Sequence, residues 1–120
     1  MNRVNAPHVG ETVIGEDYAD LVSMARPFLA DPYILAKSRE GSVDEINTCI
    51  GCNQACLDHA FVGKTASCLV NPIACHKTEI SIQKDSVPPE DRLHIAVVGS
   101  GPAGLAFVTT AATIGHNVTI

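Results

Sequence analysis

The chain has 120 residues, of which 46% are hydrophobic, 4% aromatic and none tryptophan, with a net charge of −5. A core must therefore rest on alanine, valine, isoleucine and leucine, and the acidic balance argues against a nucleic-acid partner, which needs a basic surface. No apolar run approaches the roughly 20 residues of a membrane span. The N-terminus lacks the basic-then-apolar order of a signal peptide. The expectation is a soluble, cytoplasmic protein with no membrane partner. Five cysteines in such a compartment point to metal or redox chemistry.

Residues 1–41 read as alternating helix and strand. A weak helical turn at "PHVGETVIGEDY" leads to "ADLVSMA" (19–25), an apolar run of strand length. "RPFLADPYILAKSREG" then predicts a helix, with Asp31 as N-cap, Pro32 in the first position and Gly41 at the end. Residues 42–86 change character. Ser42 and Glu45 have capping-box spacing, so a short helix is expected before Cys49, followed by irregular loops and short helices among the cysteines. Loops of this kind bury little apolar surface, and a metal centre would hold them. "SIQKDSVPPEDR" (81–92) reads as a linker. "LHIAVVGSGPAGLAFVTTAATIGHNVTI" reads as strand, glycine turn, a helix ending at Gly115, and a second strand. Two parallel strands need cover on both faces. Both terminal pieces look incomplete, as in a window from a longer protein.

The cysteines follow C-x2-C-x3-C-x11-C through Cys49, Cys52, Cys56 and Cys68. Three close thiolates suit three corners of a cubic iron–sulfur cluster, and a distant fourth closes it. Structural zinc is the alternative, since four thiolates also make a tetrahedral site. Zinc sites often use two CxxC knuckles; here one CxxC is present, so the spacing favours iron–sulfur and leaves zinc open. Cys75 is the spare, read as a small buried apolar residue, with fourth ligand in place of Cys68 as the alternative. His59 and His76 are weaker candidates.

"VVGSGPAG" sets Gly99, Gly101 and Gly104 in G-x-G-x-x-G spacing between an apolar strand and an alanine-rich helix. Gly99 permits the turn, Gly101 allows close approach of a pyrophosphate, and Gly104 allows the helix to lie near the strand. The helix N-terminus then faces the phosphates. An acidic ribose-binding residue would fall near or beyond Ile120, so the motif alone does not separate FAD from NAD. Arg26, after an apolar run and before a helix, is placed to pair with a phosphate, with Arg3 as a second charge.

"SMARPFLADP", "INTCIGCNQACLD", "FVGKTASCLVNPIACH" and "VVGSGPAGLAF", in this order, resemble the bacterial NADPH-dependent 2,4-dienoyl-CoA reductases. These belong to the old-yellow-enzyme-like iron–sulfur flavoproteins. The resemblance covers essentially the whole chain. It implies an α/β protein: the end of an FMN-binding TIM barrel (1–41), an irregular cluster-binding segment (42–86), then a linker and the first βαβ part of a Rossmann-like FAD/NAD(P)-binding domain (87–120). On that plan Arg3, Ala25 and Arg26 lie near the FMN phosphate. Cys49, Cys52, Cys56 and Cys68 ligate a [4Fe–4S] cluster, and Gly99, Gly101, Pro102, Ala103 and Gly104 contact FAD. The implied activity is reduction of an acyl-CoA substrate by NADPH, with electrons passing from FAD through the cluster to FMN. The family's catalytic Tyr and His belong to barrel segments upstream of Met1, so no catalytic residue is assigned. Another enoate reductase or an amine dehydrogenase on the same architecture, and a non-catalytic zinc-binding module, are the alternatives.

Overall fold

The computed structural model describes residues 4–120. Arg3 therefore lies outside the described residues. The chain divides into two compact units, Met1–Glu79 and Ile80–Ile120. The boundary falls between Glu79 and Ile80, and the predicted pieces 1–41 and 42–86 are joined in the first unit up to that point.

The first unit opens with helix α1 (Pro7–Gly15), where proline occupies the first turn. The segment expected as a strand at 19–25 has no ladder among the described residues; 21–24 carry no regular structure, and helix α2 (Ala25–Ala30) begins at its last residue. A strand is defined by its hydrogen-bonded neighbour, and an apolar run without one stays irregular. The single helix expected over 32–40 starts later, as α3 (Ile34–Glu40). Asp31 does not cap it as predicted. Its Oδ1 accepts the Tyr33 N–H at 2.9 Å, inside the tight turn that separates α2 from α3. Gly41 ends α3 as expected, at φ 78°. The Ser42 N–H bonds the Lys37 carbonyl at 2.9 Å and the Gly41 N–H that of Ser38 at 3.3 Å, the paired closure of a Schellman end.

The predicted helix before Cys49 is one 3₁₀ turn, Val43–Glu45, without the Ser42 side-chain cap. Helix α4 (Leu57–Phe61) is the other regular element in this stretch. Apolar burial is sparse. Val4, Ala30, Ile34 and Ala74 are buried, together with two polar residues, Asp31 and Asn71.

The second unit matches the expected order. Strand β1 (His94–Ala96) pairs in parallel with β2 (Asn117–Thr119), with Ile95 opposite Val118. Helix α5 (Pro102–Ile114) crosses between them and packs on β2. It ends at Gly115, φ 114°, with the same pair of bonds as α3: His116 N–H to Ala111 at 3.0 Å and Gly115 N–H to Ala112 at 3.1 Å. Residues 81–92 are not a free linker. Asp85 and Val87 donate their N–H groups to the Thr113 and Ile114 carbonyls, each at 2.9 Å. Arg92 then binds the Val87 carbonyl at 3.2 Å and the Asp85 carboxylate at 3.3 Å. Polar composition suggested a linker, but backbone pairing to the last turn of α5 fixes the segment.

Candidate metal centre

All five cysteines are free thiols. Cys49, Cys52, Cys56 and Cys68 line one cavity, with Leu29, Ile50, Ala55, Leu69 and Val70 as its apolar walls. Local backbone geometry brings them there. Gly51 (φ 67°) and Asn53 (φ 64°) both adopt the left-handed region, which reverses the chain sharply on either side of Cys52. The x11 segment between Cys56 and Cys68 is closed beside both of them: the Ser67 N–H donates to the Ala55 carbonyl at 2.7 Å. That bond brings Cys68 back to Cys56. Within the loop, the His59 ring nitrogen Nδ1 meets the Thr65 carbonyl at 3.0 Å.

Asn5, Asn71 and Asp31 help hold the cage to the rest of the unit. Asn5 donates to the Cys49 carbonyl at 3.3 Å. Asn71, nearly buried, donates to the Leu29 carbonyl at 3.0 Å while its own N–H reaches the Cys68 carbonyl at 3.3 Å. Asp31 is 2% exposed. Its Oδ2 accepts the Asn47 N–H at 3.0 Å and the Lys37 ammonium at 2.7 Å. Burial pushes the Asp31 carboxyl up, but the bonds from Lys37, Asn47 and Tyr33 and the Lys37 charge outweigh it and hold the group below its ordinary value. Composition and spacing gave no sign of these anchors. An asparagine or aspartate just before an apolar helix reads as a cap, and only long-range bonding reveals the other role.

The donor set fits an iron–sulfur cluster in kind: four thiolates around an apolar cavity, the ligand environment such clusters take. The cavity is narrow, about 20 Å³. Among the described residues no three His, Cys, Asp or Glu side chains are grouped closely enough to hold one metal ion. A zinc ion needs four ligands within about 2.3 Å of a single point. Cys75 and His76 do not line the cavity; Cys75 is exposed, contrary to the buried role expected, and His76 meets Glu79 at 3.1 Å. His59 also stands outside the lining.

A larger cleft of about 490 Å³ adjoins, lined by Val4, Asn5, Ser23, Met24, Ala25 and Arg26 with the Cys49–Gly51 segment. Ala25 and Arg26 both line this cleft, and Arg26 lines both cavities. Its Nη1 donates to Asn53 Oδ1.

In the second unit the glycine turn has distinct roles by position. Gly99 has φ 110°, which glycine alone adopts freely. A Cβ on Gly104 would lie 2.1 Å from the Gly99 carbonyl oxygen, so the helix lies against the turn at a distance that admits no side chain. Gly101 caps α5 at φ −70°, and a Cβ there would meet open space. Pro102 and Ala103 form the first turn of α5. Among the described residues no helix is long and apolar enough to cross a membrane.

No protein-family profile matches the chain. The chain is 45% identical over 119 residues to a metal reductase of Desulforamulus reducens, covering 99% of the chain and 17% of that protein. It is 37% identical over 116 residues to an NADH oxidase of Thermoanaerobacter brockii, covering 96% of the chain and 17% of that protein. Its fold aligns with a 2-naphthoyl-CoA reductase, solved with 2-naphthoyl-CoA, at a TM-score of 0.85 and 34% identity, covering 95% of the chain and 17% of that one. All three are oxidoreductases by name, and the chain spans about a sixth of their length.

Proposed function

We propose that this chain is the junction segment of an iron–sulfur flavin oxidoreductase of the old-yellow-enzyme and 2,4-dienoyl-CoA reductase type. The observation that carries the reading is the gathering of Cys49, Cys52, Cys56 and Cys68 around one apolar cavity whose wall, at Arg26 and Cys49, is shared with a larger cleft. In this reading residues 1–41 are the end of an FMN-bearing barrel, 42–86 hold a [4Fe–4S] cluster, and 87–120 begin an FAD/NAD(P)-binding domain. The glycine at position 101, where a Cβ would meet open space at the start of a 13-residue helix, supports a dinucleotide there.

When bound, the flavins and the cluster supply stepwise electron transfer between a nicotinamide hydride donor and the substrate. The residues of this chain do the holding. Four thiolates carry the charge that the iron requires, and Leu29, Ile50, Leu69 and Val70 give the cavity its apolar walls, with Cys52 on the exposed side. Arg26 and Ala25 receive the phosphate of FMN in the larger cleft, with Arg3 as a second cation. Gly99, Gly101 and Gly104, with Pro102 and Ala103, receive the diphosphate of FAD. NADPH as the donor and a 2,4-dienoyl-CoA as the acceptor are the specific assignment. A CoA-ester acceptor is supported by the likeness to the naphthoyl-CoA reductase, and a nicotinamide donor by the likeness to the NADH oxidase.

The test is anaerobic purification followed by iron, sulfide and zinc analysis and a visible spectrum before and after dithionite. Iron and sulfide in about fourfold amount per chain, with absorption that bleaches, are expected. Serine at Cys49, Cys52, Cys56 or Cys68 abolishes or degrades the cluster, while Cys75→Ser leaves it intact. Zinc without iron overturns the reading.

A further inference from the structure

The two cavities of the first unit share a wall. Arg26, Cys49 and Ile50 line both. Arg26 reaches along that wall to donate to the Oδ1 of Asn53. Asn53 belongs to the cysteine loop, directly after Cys52, and lines the cysteine cavity. Its backbone is left-handed at φ 64°, a region that asparagine tolerates better than other side chains do. Its carbonyl accepts the Asp58 N–H at 3.1 Å, at the start of α4. The residue is pinned through its backbone by the loop and through its amide by the arginine.

We propose that Asn53 is a positioning residue: it holds the Arg26 guanidinium at the boundary of the two cavities, so that one cation serves both an anionic group in the cleft and the thiolate cage. This rests on the reading above, in which the cleft takes a flavin phosphate and the cage a cluster. A guanidinium carries five donors in a planar fork, so one group can bond an amide oxygen and a phosphate together. The amide is a neutral acceptor, which fixes the fork without cancelling its charge. A carboxylate at the same place would form an ion pair and withdraw that charge from the phosphate. The arrangement makes the two sites interdependent. A phosphate that draws the guanidinium changes the charge beside the thiolates, and by linkage the charge on the cage changes the affinity for the phosphate.

Asn53→Gly tests this, because glycine keeps the left-handed backbone and removes only the amide. The measurements on the intact protein are iron and sulfide content, the dissociation constant for FMN, and the midpoint potential of the cluster. Iron and sulfide at parental levels, FMN bound on the order of tenfold more weakly, and a lower potential are expected, because a cation held beside the cage favours its more negative, reduced state. Asn53→Asp should also weaken FMN binding and lower the potential, with iron retained. Unchanged FMN affinity and potential in Asn53→Gly overturn the inference, and so does loss of iron, which would make Asn53 part of the scaffold alone. Arg26→Gln separates this from the underlying reading. FMN lost in Arg26→Gln but kept in Asn53→Gly removes the role of Asn53 only. FMN kept in Arg26→Gln removes the phosphate assignment, and the inference with it.

Discussion

Replacing Asp31 by alanine leaves three donors without their acceptor: the Tyr33 and Asn47 N–H groups and the Lys37 ammonium. The carboxylate is 2% exposed, so the loss is that of a buried charged acceptor. Hydrogen bonds to charged groups contribute about 1.5–3 kcal/mol each. The full sum overstates the effect here. Lys37 is 23% exposed and keeps a second acceptor, the Glu45 carbonyl at 2.7 Å, while Tyr33 and Asn47 are exposed residues whose freed N–H groups reach water. Breaking a buried ion pair costs about 3–5 kcal/mol, and with these outlets we expect roughly 3 kcal/mol, the lower end. The pH dependence has a fixed sign. The folded carboxyl titrates below its ordinary value of 3.8, so its stabilisation is complete above that value and lost as pH falls through the lower, folded value. Denaturant unfolding of parent and Asp31→Ala at pH 7 and at steps below pH 4, with hydrogen exchange at the Asn47 amide, makes the measurement. The gap between the two proteins should close in acid, and the Asn47 amide should exchange faster in the variant. A difference under about 0.5 kcal/mol at pH 7, the scale of an ordinary surface change, or a gap that widens in acid, refutes the reasoning.

Gly104→Ala places a methyl 2.1 Å from a backbone oxygen that cannot rotate away, so the second unit should lose about 2–3 kcal/mol, read as a lower unfolding midpoint. Gly101→Ala meets open space at an ordinary φ and should leave that midpoint within about 0.5 kcal/mol, while weakening dinucleotide binding measured by calorimetry. Asn71→Ala frees the half-buried Leu29 carbonyl and should cost about 1–3 kcal/mol, with faster alkylation of Cys68 as the local readout.

The second unit was legible in the sequence because its signals are local. Gly99 and Gly115 sit where φ is positive, the alanine-rich run between them is helical, and NVTI pairs beside β1. Each of those features is dictated within a few residues. The first unit was legible only in part. The C-x2-C-x3-C-x11-C spacing marked the four residues that line one cavity, and Ala25 and Arg26 reach the cleft. What spacing did not reveal was how the cage is held. Asp31 and Asn47 are 16 positions apart, Arg26 and Asn53 are 27, and Asn71 and Leu29 are 42. Such pairs have no periodicity to read, and each side chain carries a plausible local role as cap or turn former. The apolar run at 19–25 failed for the related reason that strand identity is a property of a pair.

The same contrast sets an expectation for metal removal. Four buried hydrophobic residues of the first unit, three of them no larger than valine, give the cysteine cage little apolar support. Its side-chain anchors contribute about 1–3 kcal/mol each, too little to offset the entropy of ordering loops at about 1–2 kcal/mol per residue. On the proposed reading, thiolate–metal bonds are then a principal source of order in residues 49–71, and binding free energy there is folding free energy. Chelation of the iron under anaerobic conditions should raise exchange of the Ser67 and Asn71 amides and the alkylation rate of all four cysteines together. The amides of α5 and of β2, in the separate second unit, should be unaffected. Equal protection of Ser67 with and without metal would mean that protein contacts alone order the loop, and the cage would then be a preformed scaffold whose stability owes nothing to the centre it carries.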